Sequence, residues 1–282
     1  MASKWLGMLL VLATLPALAQ TSNTTSSLTP DGRIPRQHPP RKVLPGTPAP
    51  WYDAVNHVTV SYNEAWAGYA VTGSSFTHVS GSWTVTAVDC SVTPTTYSSE
   101  WVGIDGWTSD TVEQVGTDAD CSGKTPSYYV WYEFYPKNTV VISSVSIAPG
   151  DNFLASVVYD GSNEYTVTIT NTTTNQSFSK KVEFTGTAKA KPEWNSAEWI
   201  MEMDGKKLAD FGTDPFGQYY TGVADGNNTA TDSSFSGVIS GFGSTVQESI
   251  TTKTGSSSST ETSVPSVLAS DGSGFTVTWL AE

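Results

Sequence analysis

Residues 197–202 read Ala-Glu-Trp-Ile-Met-Glu, and the way these side chains divide decides the fold. In an extended strand, successive side chains point to opposite faces. Glu198, Ile200 and Glu202 then share one face, while Trp199 and Met201 share the other. Three further segments divide in the same manner. In Trp101-Val102-Gly103-Ile104-Asp105, Trp101, Gly103 and Asp105 oppose Val102 and Ile104. In Gln114-Val115-Gly116-Thr117-Asp118, one face holds Gln114, Gly116 and Asp118. In Trp131-Tyr132-Glu133-Phe134-Tyr135, Trp131, Glu133 and Tyr135 oppose Tyr132 and Phe134. Each segment thus has a mostly apolar face suited to a core and an opposite face of carboxylate, amide, aromatic and glycine. A plain solvent face in this chain carries Thr, Ser and Lys instead. Aromatics beside acids, with glycine leaving room, make a substrate groove; a cross-strand polar ladder without function is the alternative.

Working outward, the chain from Trp51 onward alternates short runs rich in Val, Thr, Tyr, Trp and Ile with clusters of Gly, Ser, Asn and Asp. Val79 to Val88, Tyr128 to Tyr135, Phe153 to Tyr159, Tyr165 to Thr170, Glu198 to Met203 and Phe275 to Leu280 are the clearest strands. Many short strands with frequent turn signals read as an all-β antiparallel sandwich or barrel, in one domain over residues 51–282. The Ser/Thr-rich stretch Thr251 to Ser263 is expected to be a long surface loop. Sequons stand at Asn23, Asn171, Asn175 and Asn227.

The first residues set the compartment. Lys4, the apolar run Leu6 to Leu15 and Ala17-Leu18-Ala19 make residues 1–19 a secretory signal peptide, too short in its apolar part to span a membrane. The product is expected to be secreted, soluble and monomeric. Residues 20–50 are rich in Pro, Ser, Thr and basic side chains, so they are not expected to hold a compact fold. All three arginines, Arg33, Arg36 and Arg41, lie there with Lys42. The remaining chain carries nine lysines against 26 acidic residues, a formal −17. A basic pro-segment before such a body suggests an electrostatic latch, an intramolecular inhibitor removed on maturation. The acidic surface also argues against nucleic acid or an anionic membrane as partner, and it suits work in acid, where carboxylates protonate and self-repulsion falls. In an exported chain the two cysteines, Cys90 and Cys121, are expected to pair; a metal site would need a CxxC pair or clustered histidines.

Spacing limits which acids can cooperate. Glu198 and Glu202 lie roughly 13 Å apart along a strand, so partners must come from neighbouring strands about 5 Å away. Other catalytic classes lack their motifs: no G-x-S-x-G elbow, no H-E-x-x-H and no paired Asp-Thr/Ser-Gly turns are present. His38 lies in the pro-segment, leaving only His57 and His78, which read as strand-surface residues.

Taken together, the four motifs Trp101-Val-Gly-Ile-Asp-Gly106, Gln114-x-Gly116-x-Asp118, Trp131-Tyr-Glu-x-Tyr-Pro136 and Ala197-Glu-Trp-Ile-Met-Glu202 resemble, in order and spacing, the fungal-type glutamic peptidases, or eqolisins. Trp66-x-Gly68 fits as well, and the resemblance covers roughly Trp66 to Leu280. It implies a sandwich of two antiparallel sheets, concanavalin A-like, with the groove on one sheet. It also implies that Gln114 and Glu202 are catalytic and that Trp101, Asp105, Asp118, Trp131, Glu133 and Tyr135 line or support the site, with Glu198 in the same motif. The segment between Asp105 and Gln114 is one residue shorter than in the fungal enzymes. Their disulfides are not reproduced either, since Cys90 and Cys121 bracket the Trp101–Asp118 stretch.

That chemistry needs no metal and no cofactor. Glu202 can take a proton from water and return it to the leaving amine, while Gln114 donates its N–H to the developing oxyanion. The substrates would be proteins or peptides, hydrolysed in acid. A carbohydrate-binding or glycoside-cleaving sandwich is the rival reading, with Glu133 and Glu202 as paired carboxyls. Gln114 discriminates, because a sugar hydrolase has no special need of that donor.

Overall fold

The structure, a computed structural model, describes residues 20–281 apart from 22, 44, 46, 206 and 254–258. The expected signal peptide, residues 1–19, lies outside the described residues. Strands carry nearly all of the regular structure, and they pack as a sandwich of two antiparallel sheets. One sheet runs through Trp51–Asp53, Val58–Asn63, Thr245–Lys253, Trp66–Thr72, Ser196–Glu202, Ser99–Ile104, Val112–Ser122, Thr125–Tyr135 and Val140–Ile142, antiparallel throughout except where Val58–Asn63 meets Thr245–Lys253. The second is built on Gln176–Glu183, Glu164–Asn171, Asn152–Tyr159 and His78–Thr84, continued by Thr213–Phe216, Phe275–Trp279 and Ser259–Pro265. Ser259–Pro265 pairs with Thr245–Lys253, so the two sheets join along that side.

Alternation explains why these segments are strands. In Glu164–Asn171, Tyr165, Val167 and Ile169 are fully buried in the core, while Thr168 and Thr170 meet Ser179 and Ser177 across the outer face. On the first sheet, Val102, Ile104, Val115, Tyr132, Phe134, Trp199 and Met201 enter the same core, as the motif reading requires. The opposite face gathers a second apolar cluster around Trp66, Trp101, Trp131 and Ile200. Two glycines make room there. A Cβ at Gly68, where φ is 146°, would overlap the Trp199 carbonyl oxygen. One at Gly116 would lie 2.6 Å from Trp101 Cβ and 2.9 Å from Trp131 Cζ2, so glycine is what lets both indoles lie over this face.

Cys90 and Cys121 are joined, with their Cα atoms 5.3 Å apart. The bond ties the loop before the Trp101 strand to the far end of the Gln114 strand. One expectation needs correction. The stretch Thr251 to Ser263 is not one loop: Thr245–Lys253 and Ser259–Pro265 reach into it from both sides and pair, because a Ser/Thr face can serve a strand as well as a loop. The segment before residue 50 has no core of its own and lies docked on the body. Thr25–Ser26 pairs with the edge strand Val140–Ile142, and Thr29 and His38 are buried against the body. The sequon residue Asn171 is also buried, its amide holding Asp151 at 2.8 Å. Among the described residues no helix is long and apolar enough to cross a membrane.

Candidate active site

Register places the motif residues in rows across the first sheet. Gln114 sits beside Glu133 on one side and Gly103 on the other, and Gly103 is beside Glu198. Trp101 sits beside Gly116 and Ile200, with Trp131 next to Gly116. Glu202 sits beside Ser99, and Ser99 beside Asp118. Gln114 and Glu202 therefore belong to rows four residues apart, two strands from one another, and do not touch.

What brings them together is the basic segment, residues 33–42, which crosses this face. The Gln114 side-chain N–H donates to the His38 carbonyl at 2.7 Å, and the His38 backbone N–H donates to Glu133 Oε2 at 2.8 Å. The His38 ring lies flat on Trp131, centroids 3.7 Å apart and planes 4° from parallel. Its Nδ1 is 2.9 Å from Asp204 Oδ1 and 3.7 Å from Glu202 Oε2, and its Nε2 is 3.7 Å from Asp118 Oδ1. His38, set aside in the sequence as a pro-segment residue, is fully buried at the centre of the site.

The four basic residues hold the segment on either side. Arg33 pairs with Asp120 at 3.3 Å, and the Arg36 guanidinium lies 3.2 Å over the Tyr97 ring. Arg41 pairs with Glu248 at 3.0 Å and covers Trp107, while exposed Lys42 reaches Glu64 at 3.0 Å. Polar backbone contacts add to this, with Gln37 donating to the Lys137 carbonyl at 3.1 Å and Arg41 N–H to the Gly106 carbonyl at 3.0 Å.

Each predicted side chain has a definite place. Trp101 Nε1–H donates to Glu202 Oε2 at 2.8 Å, leaving Glu202 Oε1 without a hydrogen-bond partner among the described residues. Trp131 and Glu133 touch His38, and Asp118 faces its ring. Tyr135 packs at the edge of the aromatic cluster. Asp105 takes no part in the groove. It sits at φ 71° beyond the end of its strand and accepts the backbone N–H groups of Glu193, Trp194 and Asn195 at 2.8–2.9 Å, fixing the turn into the Glu202 strand. Glu198 is buried, and neither of its oxygens has a hydrogen-bond partner among the described residues.

Electrostatics follow from the cover. Burial, with Asp204 close by, pushes Glu202 up to about 7, against the pull of His38 and Trp101. Burial also lifts Glu133 to about 8, and drives Asp118 and Glu198 well above the usual carboxylate range. Burial alone would depress His38, but Asp204 and Asp118 outweigh it and hold the imidazole well above its ordinary value. His38, Asp118 and Asp204 bring one ligand atom each within 4.8 Å of one another, the spacing a metal ion could use. The two carboxylates face opposite nitrogens of the ring, which suits a doubly protonated imidazole better than an ion bound at a single nitrogen.

Two groups of this site escaped the motif reading. Asp204 continues the alternation Glu198, Ile200, Glu202 two residues beyond the motif, and Asp120 does the same after Asp118. Extending the period-2 pattern past each motif's end would have found both.

Comparison with known proteins agrees with this architecture. The Peptidase A4 family matches residues 64–265. Aspergillopepsin-2 of Aspergillus niger is 31% identical over 179 residues, covering 55% of this chain and 63% of that protein. Scytalidopepsin B of Scytalidium lignicola is 31% identical over 158 residues, covering 56% of this chain and 58% of that one. The match thus spans about three fifths of each relative. A crystal structure of scytalido-glutamic peptidase with a transition state analog inhibitor superposes with a TM-score of 0.62 at 22% identity, over 77% of this chain and 98% of that one, a likeness of fold. The chain belongs to the Peptidase A4 family.

Proposed function

We propose that this member of the Peptidase A4 family is a secreted endopeptidase that hydrolyses peptide bonds in acid, without a metal, through Glu202 and Gln114. In this reading residues 20–50 are an inhibitory pro-segment and residues 51–282 the catalytic domain. The observation that carries it is the bond from the Gln114 amide to the His38 carbonyl: a peptide carbonyl of the chain itself lies against the side chain suited to hold an oxyanion. Family membership supports the peptide hydrolase class.

The steps balance on these groups. Glu202 removes a proton from water, and the hydroxide adds to the carbonyl carbon. The carbonyl oxygen gains the negative charge and is held by the Gln114 N–H, a contact worth about 3 kcal/mol in comparable sites. When the C–N bond breaks, Glu202 returns its proton to the departing nitrogen. Glu202 needs to be ionised for this. Its carboxyl is raised chiefly by burial, so water admitted when the segment departs lowers it, against the loss of the His38 ring that pulls it down in the covered site.

Pro39 supports the inhibitory role. The bond following the His38 carbonyl is to a proline nitrogen, which bears no hydrogen and is locked in its ring. The segment thus offers the site a peptide in substrate-like contact whose next bond is a tertiary amide, while Arg33, Arg36, Arg41 and Lys42 anchor its flanks.

The test is digestion of a protein substrate by the purified chain after incubation in acid, with pepstatin, a thiol reagent or a chelator added. Digestion that resists all three is expected. Absence of digestion at every acid pH, or its loss to pepstatin or the chelator, contradicts the proposal.

A further inference from the structure

In the reading above, residues 20–50 must leave the groove before it can take a substrate, and the way the chain lies limits which site can cut it free. Resting on that reading, we infer that the parting cut falls in residues 47–51, at Pro48–Ala49 or Pro50–Trp51, and is made by a second copy of this chain rather than by the site the segment covers.

The covered site holds bonds ill suited to it. The His38 carbonyl is bonded to Pro39, and the Pro39 carbonyl to Pro40, so neither nitrogen bears a hydrogen. The register is also pinned on both sides of Gln114. Gln37 donates to the Lys137 carbonyl, the His38 N–H to Glu133, and the Arg41 N–H to the Gly106 carbonyl, while the Arg41 side chain pairs with Glu248. Bringing a later bond to Gln114 means breaking all of these at once.

Reach then excludes the molecule's own site for residues 47–51. Trp51 stands in one row with Val60, Gln247, Tyr69, Trp199, Val102 and Val115, and Val115 is the neighbour of Gln114. Six strand spacings of about 4.8 Å put Trp51 roughly 29 Å from the Gln114 strand. The three residues that lead from Pro48 to Trp51 span at most about 10 Å when fully extended. Neither bond can therefore lie against Gln114 while Trp51–Asp53 is paired in the same molecule. The longer run from His38 to Trp51 does cross the gap, as the docked segment shows.

A second molecule meets no such limit. Pro48, Ala49, Pro50 and Trp51 are exposed, and no hydrogen bond joins residues 47–50 to another described residue. Pro48–Ala49 and Pro50–Trp51 are secondary amides, whereas Thr47–Pro48 and Ala49–Pro50 are tertiary. A groove emptied of residues 33–42 has the form to take such a run from a neighbour. Each cut consumes one water and leaves a carboxyl group on the proline and an amine on Ala49 or Trp51.

The experiment brings the purified full chain to pH 4 over a range of concentrations. Gel electrophoresis follows the loss of intact chain, and mass spectrometry reads the new termini. Tenfold more chain should shorten the half-life about tenfold, as a step limited by encounter requires. Any lag should vanish when a trace of acid-incubated chain is added, and the first new termini should be Ala49 or Trp51. In an equimolar mixture with mass-tagged Glu202→Gln, both chains should disappear at matching rates, while Glu202→Gln alone stays intact. The wild-type concentration series decides the matter should that variant fail to fold. With protein digestion intact, a half-life independent of concentration overturns this inference and leaves the proposed function standing. So does a first cut upstream of Thr47, or survival of folded Glu202→Gln while the wild-type chain beside it is cut. A chain that cuts neither itself nor a protein substrate removes the proposed function and this inference with it.

Discussion

Glu100 lies in the Trp101 strand but points the other way, into the core between the sheets, where it is fully buried. Its Oε2 accepts the Thr117 hydroxyl at 2.8 Å, and Thr117 in turn accepts the Trp83 indole N–H at 2.8 Å. Burial pushes its carboxyl from 4.5 up to about 8. A carboxyl raised on folding stabilises the fold fully below its unfolded value, and that contribution drains away as pH climbs through the folded one. Between pH 4 and pH 7 the loss spans roughly 2.5 units at about 1.4 kcal/mol each, on the order of 3 kcal/mol. Glu100→Gln cannot ionise and should lose none of it. Urea unfolding followed by tryptophan fluorescence at pH 4 and pH 7, on both proteins, isolates the effect from any constant cost of the substitution. The drop in unfolding free energy from pH 4 to pH 7 should be smaller in the variant by on the order of 3 kcal/mol. Equal drops in the two proteins would refute the reasoning. Glu113, Glu198 and Asp214 are buried and raised in the same direction, so the wild-type fold should itself weaken steeply on approach to neutral pH.

Further outcomes are expected elsewhere. Cys90→Ser with Cys121→Ser opens a crosslink with a sequence separation of 31, which should lower stability by about 3–4 kcal/mol in the chain-entropy model, read as a urea midpoint. Gly68→Ala forces a Cβ onto the Trp199 carbonyl at a positive φ, and should destabilise by about 2 kcal/mol or more, whereas a wild-type midpoint would show that the strand pairing is looser than described. A synthetic peptide of residues 20–50 should slow digestion by the acid-incubated chain, less so in high salt, because its flanking ion pair between Lys42 and Glu64 is open to screening. Replacing Arg33, Arg36, Arg41 and Lys42 together by Ala should weaken that inhibition, and unchanged inhibition would contradict the latch.

Much of this was legible in the sequence because period-2 alternation is a local property. Trp199 against Glu202 and Val102 against Trp101 assign their faces from the sequence alone, and the structure buries each where its face predicts. Tertiary placement was harder to read. Thr251 to Ser263 looks like a loop because its Ser and Thr residues suit solvent, yet its two ends pair edge to edge. Residues 33–42 carry no apolar period, so nothing local announces that His38 will be covered; its burial is the work of Trp131 and Glu133 on one strand, Gln114 on the next, and Asp204 just beyond the end of Ser196–Glu202. Asp105 shares the groove face by alternation but escapes it, since a left-handed backbone beyond the strand end turns its side chain to the amides of Glu193 to Asn195.

Register leaves one sharp question at the centre. Gln114 shares its row with Glu198, whereas Glu202 lies four residues along and meets the same peptide only through His38. The deciding measurement is kcat and KM, on a protein substrate in acid, for Glu202→Gln, Glu198→Gln and Gln114→Ala, each shown to be folded by circular dichroism. Glu202→Gln should lose nearly all turnover, Gln114→Ala should lose about two to three orders of magnitude in kcat with little change in KM, and Glu198→Gln should remain far more active than Glu202→Gln. A dead Glu198→Gln beside an active Glu202→Gln would hand the proton transfer to Glu198, and activity surviving in both Glu202→Gln and Gln114→Ala would contradict the proposed chemistry altogether.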